Sequence, residues 1–171
     1  MSVFENNMYR NYIKRILDVI MSVILLIVTS PLSLIAIIGI KLSDFGPIFY
    51  TQTRIGKFGK PFRMVKFRTM YQDKVDESFD DDLEEVENND KRVMPFCRWI
   101  RKFHIDDIPQ VINILKGEMS LVGPRPERPE IIKQYMEEMP EFAFRMKVKA
   151  GLAGYAQVYG KYNTTPYDKL K

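Results

Sequence analysis

Asp106 and Asp107 stand side by side in the stretch RKFHIDDIPQVINILKGEMSLVGPRP, which opens on Arg101 and closes on Pro124-Arg125-Pro126. Paired carboxylates with arginines and a tight turn are the groups that phosphoryl chemistry uses. A carboxylate can attack phosphorus or hold a divalent cation, and a guanidinium can neutralise phosphate oxygens through two parallel bonds. Ile108, Val111, Ile112 and Leu115 follow at helical spacing, and Pro109 is tolerated only in a first turn, so the aspartates are expected at a helix start. There the dipole and the free N–H groups favour the ionised carboxylate. A plainer alternative, an N-cap beside a solvated neighbour, remains open on the pair alone. The single His104 has no Cys or His cluster around it, which argues against zinc, and the lone Cys97 excludes an internal disulfide, points to a reducing compartment and reads as core or interface filler.

Several elements must position these groups. Val19 to Ile40 contains no charged residue, long enough to enter or cross a bilayer. Arg10, Lys14 and Arg15 precede it, and Lys41, Arg54, Lys57 and Lys60 follow it, so the positive-inside rule draws both ends to the cytoplasm. Ser30-Pro31 falls at the middle, where proline removes a backbone donor and a serine hydroxyl can cover the freed carbonyl. A re-entrant helix-break-helix hairpin with its bend at Ser30 and Pro31 satisfies both flanks; the alternative is an ordinary kinked span. Next, Ile48 to Thr53 and Pro61 to Met70 read as a β-hairpin joined by Ile55-Gly56-Lys57-Phe58-Gly59. Its cations form a row that faces either phosphates and headgroups or plain solvent. Val93, Phe96, Cys97, Trp99, Ile100 and Phe103 recur at helical spacing among Arg98, Arg101 and Lys102, giving a basic amphipathic helix suited to a membrane interface or to a core edge. Glu127 to Met139 reads as a further helix, and Gly151, Gly154 and Gly160 permit close backbone approach.

A chain of 171 residues with 46% hydrophobic residues suits one small membrane-associated domain. The formal charge of +4 is unevenly spread, because residues 73–90 hold ten Asp or Glu and one Lys. That stretch lacks a helical apolar face and calcium-loop spacing and is expected to be a solvated loop, and the strongly basic remainder favours anionic surfaces. The pI near 9.1 with basic and aromatic interleaving raises a nucleic-acid reading. The uncharged run and the absence of a reader motif argue against it, so no nucleic-acid partner is expected.

The segments KRILDVIMSVILLIVTSPLSLIA, FYTQTRIGKFGKPFRMVKFRTM, IDDIPQVINILKGEMSLVGPRPERPE and VKAGLAGYAQVYGK, in that order, resemble the bacterial sugar transferase family, monotopic polyprenyl-phosphate phosphoglycosyltransferases that start surface-glycan assembly. The resemblance runs from Lys14 to Lys161. It implies an α+β, mainly helical fold: a tail (1–12), a re-entrant membrane helix (13–41) and a cytoplasmic catalytic domain (42–171) with a β-hairpin and interface helices. It also implies transfer of a sugar-1-phosphate from a UDP-sugar to undecaprenyl phosphate, with release of UMP, at the cytoplasmic face of a bacterial membrane. Asp106 matches the family's nucleophile, which forms an aspartyl-phosphosugar intermediate. Asp107 stands where the family usually has Glu, and Arg101 and Arg125 match its phosphate-neutralising arginines. Lys149-Ala150-Gly151 replaces the common Arg-Pro-Gly, so Lys149 is expected to make a single ammonium contact to phosphate. Mg²⁺ held by Asp106 and substrate oxygens is the expected cofactor, since carboxylate and phosphate are hard ligands. The chain stops earlier than family members usually do. That raises the expectation of exposed apolar surface at Tyr155, Val158 and Tyr159, a contact between copies of the chain, and the alternative of an inactive membrane-bound scaffold.

Overall fold

The computed structural model describes residues 12–71 and 90–159. The tail up to residue 11, nearly all of the acidic stretch, Gly160, the Tyr159 side chain and Tyr167–Lys171 lie outside the described residues. The architecture is mainly helical with two small sheets.

A single helix, α1 (Lys14–Ser43), carries the uncharged run. It continues without interruption through Pro31, so the expected helix-break-helix is instead one helix with an internal proline. Pro31 cannot donate to Ile27 O, its partner four residues back, and the Ser30 hydroxyl donates to that oxygen at 2.8 Å. Thr29 Oγ1 donates to Leu25 O at 2.7 Å one residue earlier. The serine next to the proline thus preserves the helix. Among the described residues α1 is the one helix long and apolar enough to cross a membrane, and most of its large apolar side chains, including Ile16, Ile20, Ile24, Ile27, Leu34 and Ile38, are exposed.

Its remaining face docks on the rest of the chain along its length. Near the start, Asp18 is buried and accepts hydrogen bonds from Ser120 Oγ at 3.0 Å and Leu121 N at 3.1 Å, and Arg15 donates to Ile114 O and to Leu115 O. Near the end, Gly39 lies against the ring of Phe96 so closely that any Cβ would overlap it. After the helix, Arg68 pairs with Asp44 and donates to Pro47 O, closing the turn onto the sheet.

Strands β1 (Phe49–Ile55) and β2 (Pro61–Phe67) form the expected antiparallel hairpin, with Thr51 opposite Val65 and Arg54 opposite Phe62. Phe62 and Met64 alternate inward to meet Ile114, Met119 and Ala150 in one apolar cluster. A second cluster joins Ala36 and Ile40 of α1 to Phe67, Met94, Cys97, Ile100 and Ile105. The basic helix expected over Val93–Phe103 is shorter, α2 (Cys97–Lys102). Val93 is held instead in an antiparallel bridge to Met70, and Pro95 delays the helix start. Cys97 and Ile100 are buried as expected, but Phe103 falls beyond the helix and is exposed. A 3-10 turn (Ile105–Gln110) then runs into α3 (Val111–Lys116), on which Val111 and Ile114 face inward while Ile112 is exposed.

Strand β3 (Met119–Val122) pairs in parallel with β4 (Ala150–Ala153) across a crossover that holds α4 (Pro129–Glu138) and a 3-10 segment (Pro140–Lys147). Gly123 and Gly151 meet backbone to backbone where these strands end, and a Cβ on Gly151 would collide with the Gly123 main chain. The short α5 (Tyr155–Tyr159) follows, with Tyr155 and Val158 exposed as expected.

Candidate active site

The chain reaches the two aspartates through a strained residue: His104, at φ 53° and ψ 28°, is left-handed and turns the chain from α2 into the 3-10 turn. Asp106 and Asp107 sit in the first turn of this 3-10 segment, and Pro109 lies near its end, just before α3. Asp107 is held by three neighbours. Gln110 Nε2 donates to Oδ1 at 2.5 Å, Lys66 Nζ lies 3.2 Å from Oδ1, and Arg125 Nη1 lies 3.8 Å from Oδ2. Lys66 projects from β2 and is nearly buried. Its place there is set by Asn113, fully buried on α3, whose Oδ1 accepts from Val65 N at 3.1 Å and whose Nδ2 donates to Arg63 O at 2.8 Å. One amide side chain thus clamps β2 to α3 and brings the next residue of the strand against Asp107.

Asp106 is in a different state. Its Oδ1 is buried and has no hydrogen-bond partner. Burial first, and the adjacent Asp107 second, push its carboxyl up from 3.8 to about 7, against the opposing pull of Lys66 and Arg101. The helix-end expectation of a favoured carboxylate is therefore overturned here, because desolvation and a like charge outweigh the field of one short turn. Arg101, from α2, is close enough to Asp106 to act on it electrostatically and donates to Thr69 Oγ1 at 3.2 Å.

The structure thus gathers Asp106, Asp107, Arg101 and Arg125 as the sequence suggested, and adds Lys66 and Gln110. Lys66 was visible only as one member of a cation row; nothing in the spacing paired it with Asp107. The structure does not bring Lys149 to the pair. Its charged neighbours are Arg15, Asp18, Lys57 and Lys14, and burial, then Arg15, holds its ammonium below the usual lysine range. Arg15 caps the last turn of α3 and Lys149 lies beside Gly117 just after it, whereas the aspartates precede the first turn. Ser30 and Pro31 belong to α1 and are remote in sequence from every group of the site. Cys97 is fully buried, and desolvation pushes its thiol up to about 11, the environment of a packing cysteine rather than of a reactive thiolate.

Among the described residues no group of three or more His, Cys, Asp or Glu side chains could hold a metal by themselves. Two adjacent carboxylates, one with an unpartnered buried oxygen, nevertheless fit a hard divalent cation that completes its shell with phosphate oxygens and water. Lys66, Arg125 and Arg101 act on the two aspartates, so the arrangement can attract an anionic group and present it with a carboxylate oxygen that has no hydrogen-bond partner.

The family model described as bacterial sugar transferase matches residues 9–171. The chain is 40% identical over 151 residues to the UDP-N-acetylgalactosamine-undecaprenyl-phosphate N-acetylgalactosaminephosphotransferase of Aeromonas hydrophila, covering 88% of this chain and 35% of that protein. It is 40% identical over 150 residues to the undecaprenyl-phosphate glucose phosphotransferase of Komagataeibacter xylinus, covering 86% of this chain and 28% of that protein. It is 40% identical over 147 residues to the UDP-glucose:undecaprenyl-phosphate glucose-1-phosphate transferase of Caulobacter vibrioides, covering 86% of this chain and 54% of that protein. The chain therefore spans about half or less of the length of these three relatives.

Proposed function

The chain belongs to the bacterial sugar transferase family, and from that premise we propose that it transfers a sugar-1-phosphate from a UDP-sugar to undecaprenyl phosphate through a covalent intermediate on Asp106. The observation that carries this reading is the contrast between the two aspartates. Asp107 is held by Gln110, Lys66 and Arg125, whereas Asp106 presents a buried oxygen with no partner. Burial raises the Asp106 pKa and so the basicity of its carboxylate, and its Oδ1 has no hydrogen-bond partner that an attacking oxygen would have to give up.

In the first step an Asp106 oxygen attacks the sugar-bearing phosphorus. The bond from that phosphorus to the bridging oxygen breaks, UMP leaves, and an acyl phosphate carrying the sugar remains on Asp106. In the second step an oxygen of the lipid phosphate attacks the same phosphorus and the Asp106 carboxylate departs unchanged. Arg101 and Arg125 bind and orient the anionic groups. Lys66, 3.2 Å from Oδ1, holds Asp107 in place, and Asp107 orients the acceptor phosphate or takes its proton. A bound Mg²⁺, held by Asp106 and Asp107 with substrate oxygens, would supply charge neutralisation at the phosphates.

Membrane attachment through α1 completes the proposal. Both ends of α1 pack on the rest of the described chain, its start through Asp18 and Arg15 and its end through Gly39. A simple span would place one of those ends on the far side of the bilayer from its partners. We therefore read α1 as entering and leaving one leaflet, with Pro31 as the site of bending.

The test is UMP release from a panel of UDP-sugars, using detergent-solubilised full chain, undecaprenyl phosphate and Mg²⁺. Asp106→Asn should abolish release while the melting curve stays cooperative. Substantial release by that variant would remove Asp106 from the chemistry.

A further inference from the structure

The segment Pro124-Arg125-Pro126-Glu127 is held by its carbonyl groups. Pro124 O accepts from Gly151 N at 2.9 Å, Arg125 O from Arg145 Nη2 at 3.2 Å, Pro126 O from Arg54 Nη1 at 3.2 Å, and Glu127 O from Ile55 N at 2.9 Å. Four consecutive carbonyls are thus bound by four separate donors. The sequence explains why: two of the four residues are prolines without an N–H, so the turn cannot be organised by its own amides.

Two of the donors are main-chain groups that any residue would supply. The other two are guanidinium groups in unusual surroundings. Arg54 is completely buried on β1, where its Nε and Nη2 both donate to Gln52 Oε1, at 3.0 and 2.6 Å. The Arg145 side chain is only 9% exposed, lies over the Phe142 ring at 4.7 Å, and faces Glu127 Oε1 at 3.6 Å. Burying a guanidinium is costly unless its donors are used. Here each spans a gap to one carbonyl of the turn that presents Arg125.

We propose that Arg54 and Arg145 are positioning residues which fix the main chain at Arg125 and so hold its guanidinium beside Asp107. Neither touches substrate. Arg54 acts from the hairpin and Arg145 from the 3-10 segment, so the turn is gripped from both sides. Freed of either, the Arg125 main chain could shift by about an ångström, enough to cost up to roughly 100-fold in rate when a charged group must meet a phosphate.

The functional half of this assignment rests on the phosphoryl-transfer reading; the structural half does not, and the experiment separates them. Full chain in lipid bicelles is prepared with Arg54→Met and Arg145→Met, and with Arg54→Lys and Arg145→Lys in case the neutral replacements unfold. Hydrogen exchange is followed at the Ile55 and Gly151 amides, the main-chain donors that hold the turn, and in α3. Expected is faster exchange at the turn with α3 still protected. UMP release is then measured for Arg54→Met alone, Arg125→Lys alone and the double variant. The first should lower kcat/KM between about 10- and 100-fold, and the same replacement in the Arg125→Lys background should cost less than about threefold, since the residue it positions is already altered. Unchanged exchange at the turn, equal fold-losses in both backgrounds, or loss of α3 protection in the Met and Lys variants alike would overturn the proposal. A wild-type chain that releases no UMP would count against the phosphoryl-transfer reading and leave the exchange result to decide the positioning role.

Discussion

Replacing Asp106 by Asn should make the metal-free protein more stable while it removes the activity. The carboxyl is pushed to about 7 from 3.8 by burial and by Asp107, and its Oδ1 has no partner to compensate. A raised folded-state pKa means that the neutral acid is the form the fold accommodates. The associated stability is fully present below the unfolded value of 3.8, falls as pH rises, and is lost above about 7. A shift of about 3 units at about 1.4 kcal/mol each sets a ceiling of about 4 kcal/mol. Asparagine keeps the shape and carries no charge, so it should recover up to that amount above pH 7 and almost none near pH 4. Even half of the ceiling corresponds to about 4–8 °C in a domain of this size. The assay is thermal unfolding in detergent with EDTA at pH 5 and pH 8, and the advantage of the variant should be larger at pH 8. Adding Mg²⁺ should narrow it, because the cation favours a carboxylate pair that only the wild type has. A variant no more stable than wild type at pH 8, or an advantage independent of pH, would refute the reasoning.

Three further outcomes follow from other parts of the fold. Asn113→Leu removes the clamp between β2 and α3 and leaves the Val65 N–H and Arg63 carbonyl without that partner; a loss of about 2–4 kcal/mol in denaturant unfolding is expected, and a change below about 0.5 kcal/mol would show that the clamp is dispensable. Gly151→Ala places a methyl against the Gly123 main chain and should cost about 3 kcal/mol or more, with Gly59→Ala, where a Cβ meets nothing but φ is +73°, costing about 1 kcal/mol; the same melting temperature for both would contradict the packing argument. Cysteines introduced by Asn7→Cys and Lys60→Cys should resist an impermeant thiol reagent in intact cells and react after lysis, with buried Cys97 silent throughout; labelling at position 7 alone in intact cells would establish a spanning helix, and replacing Ser30-Pro31 by Ala-Leu should shift the protein toward that pattern.

The residues that gather at the site were more legible than the scaffold that gathers them. Asp106, Asp107, Arg101 and Arg125 stand out because their types are unusual together, and the structure gathers all four. Lys66 and Gln110 carry no such mark. A lysine in an alternating strand reads as a solvated face, and only the tertiary clamp by Asn113 shows that this one points inward to Asp107. Lys149 is the opposite case: its expected phosphate contact rests on family resemblance alone, and the chain places it beyond the far end of α3 near Arg15, Asp18, Lys57 and Lys14 rather than beside the aspartates. Local patterning located the hairpin to within three residues at every strand end, because turn glycines and alternation are short-range signals, and its largest overrun is where β2 stops at Phe67 instead of Met70. It over-extended the basic helix because the Met70–Val93 bridge, a long-range contact, takes the first turn away. The Ser30-Pro31 pair was read as a break, yet the same serine hydroxyl that was expected to cover the freed carbonyl is what keeps the helix continuous.

Covalent capture tests the central claim most directly. Full chain is incubated with a UDP-sugar and Mg²⁺ in the absence of any lipid acceptor, quenched, and analysed by intact mass followed by peptide mapping. The account predicts a mass increase equal to one sugar phosphate, localised to Asp106, absent in Asp106→Asn and discharged when undecaprenyl phosphate is added. Turnover to lipid product without any such adduct, or an adduct on another residue, would contradict it.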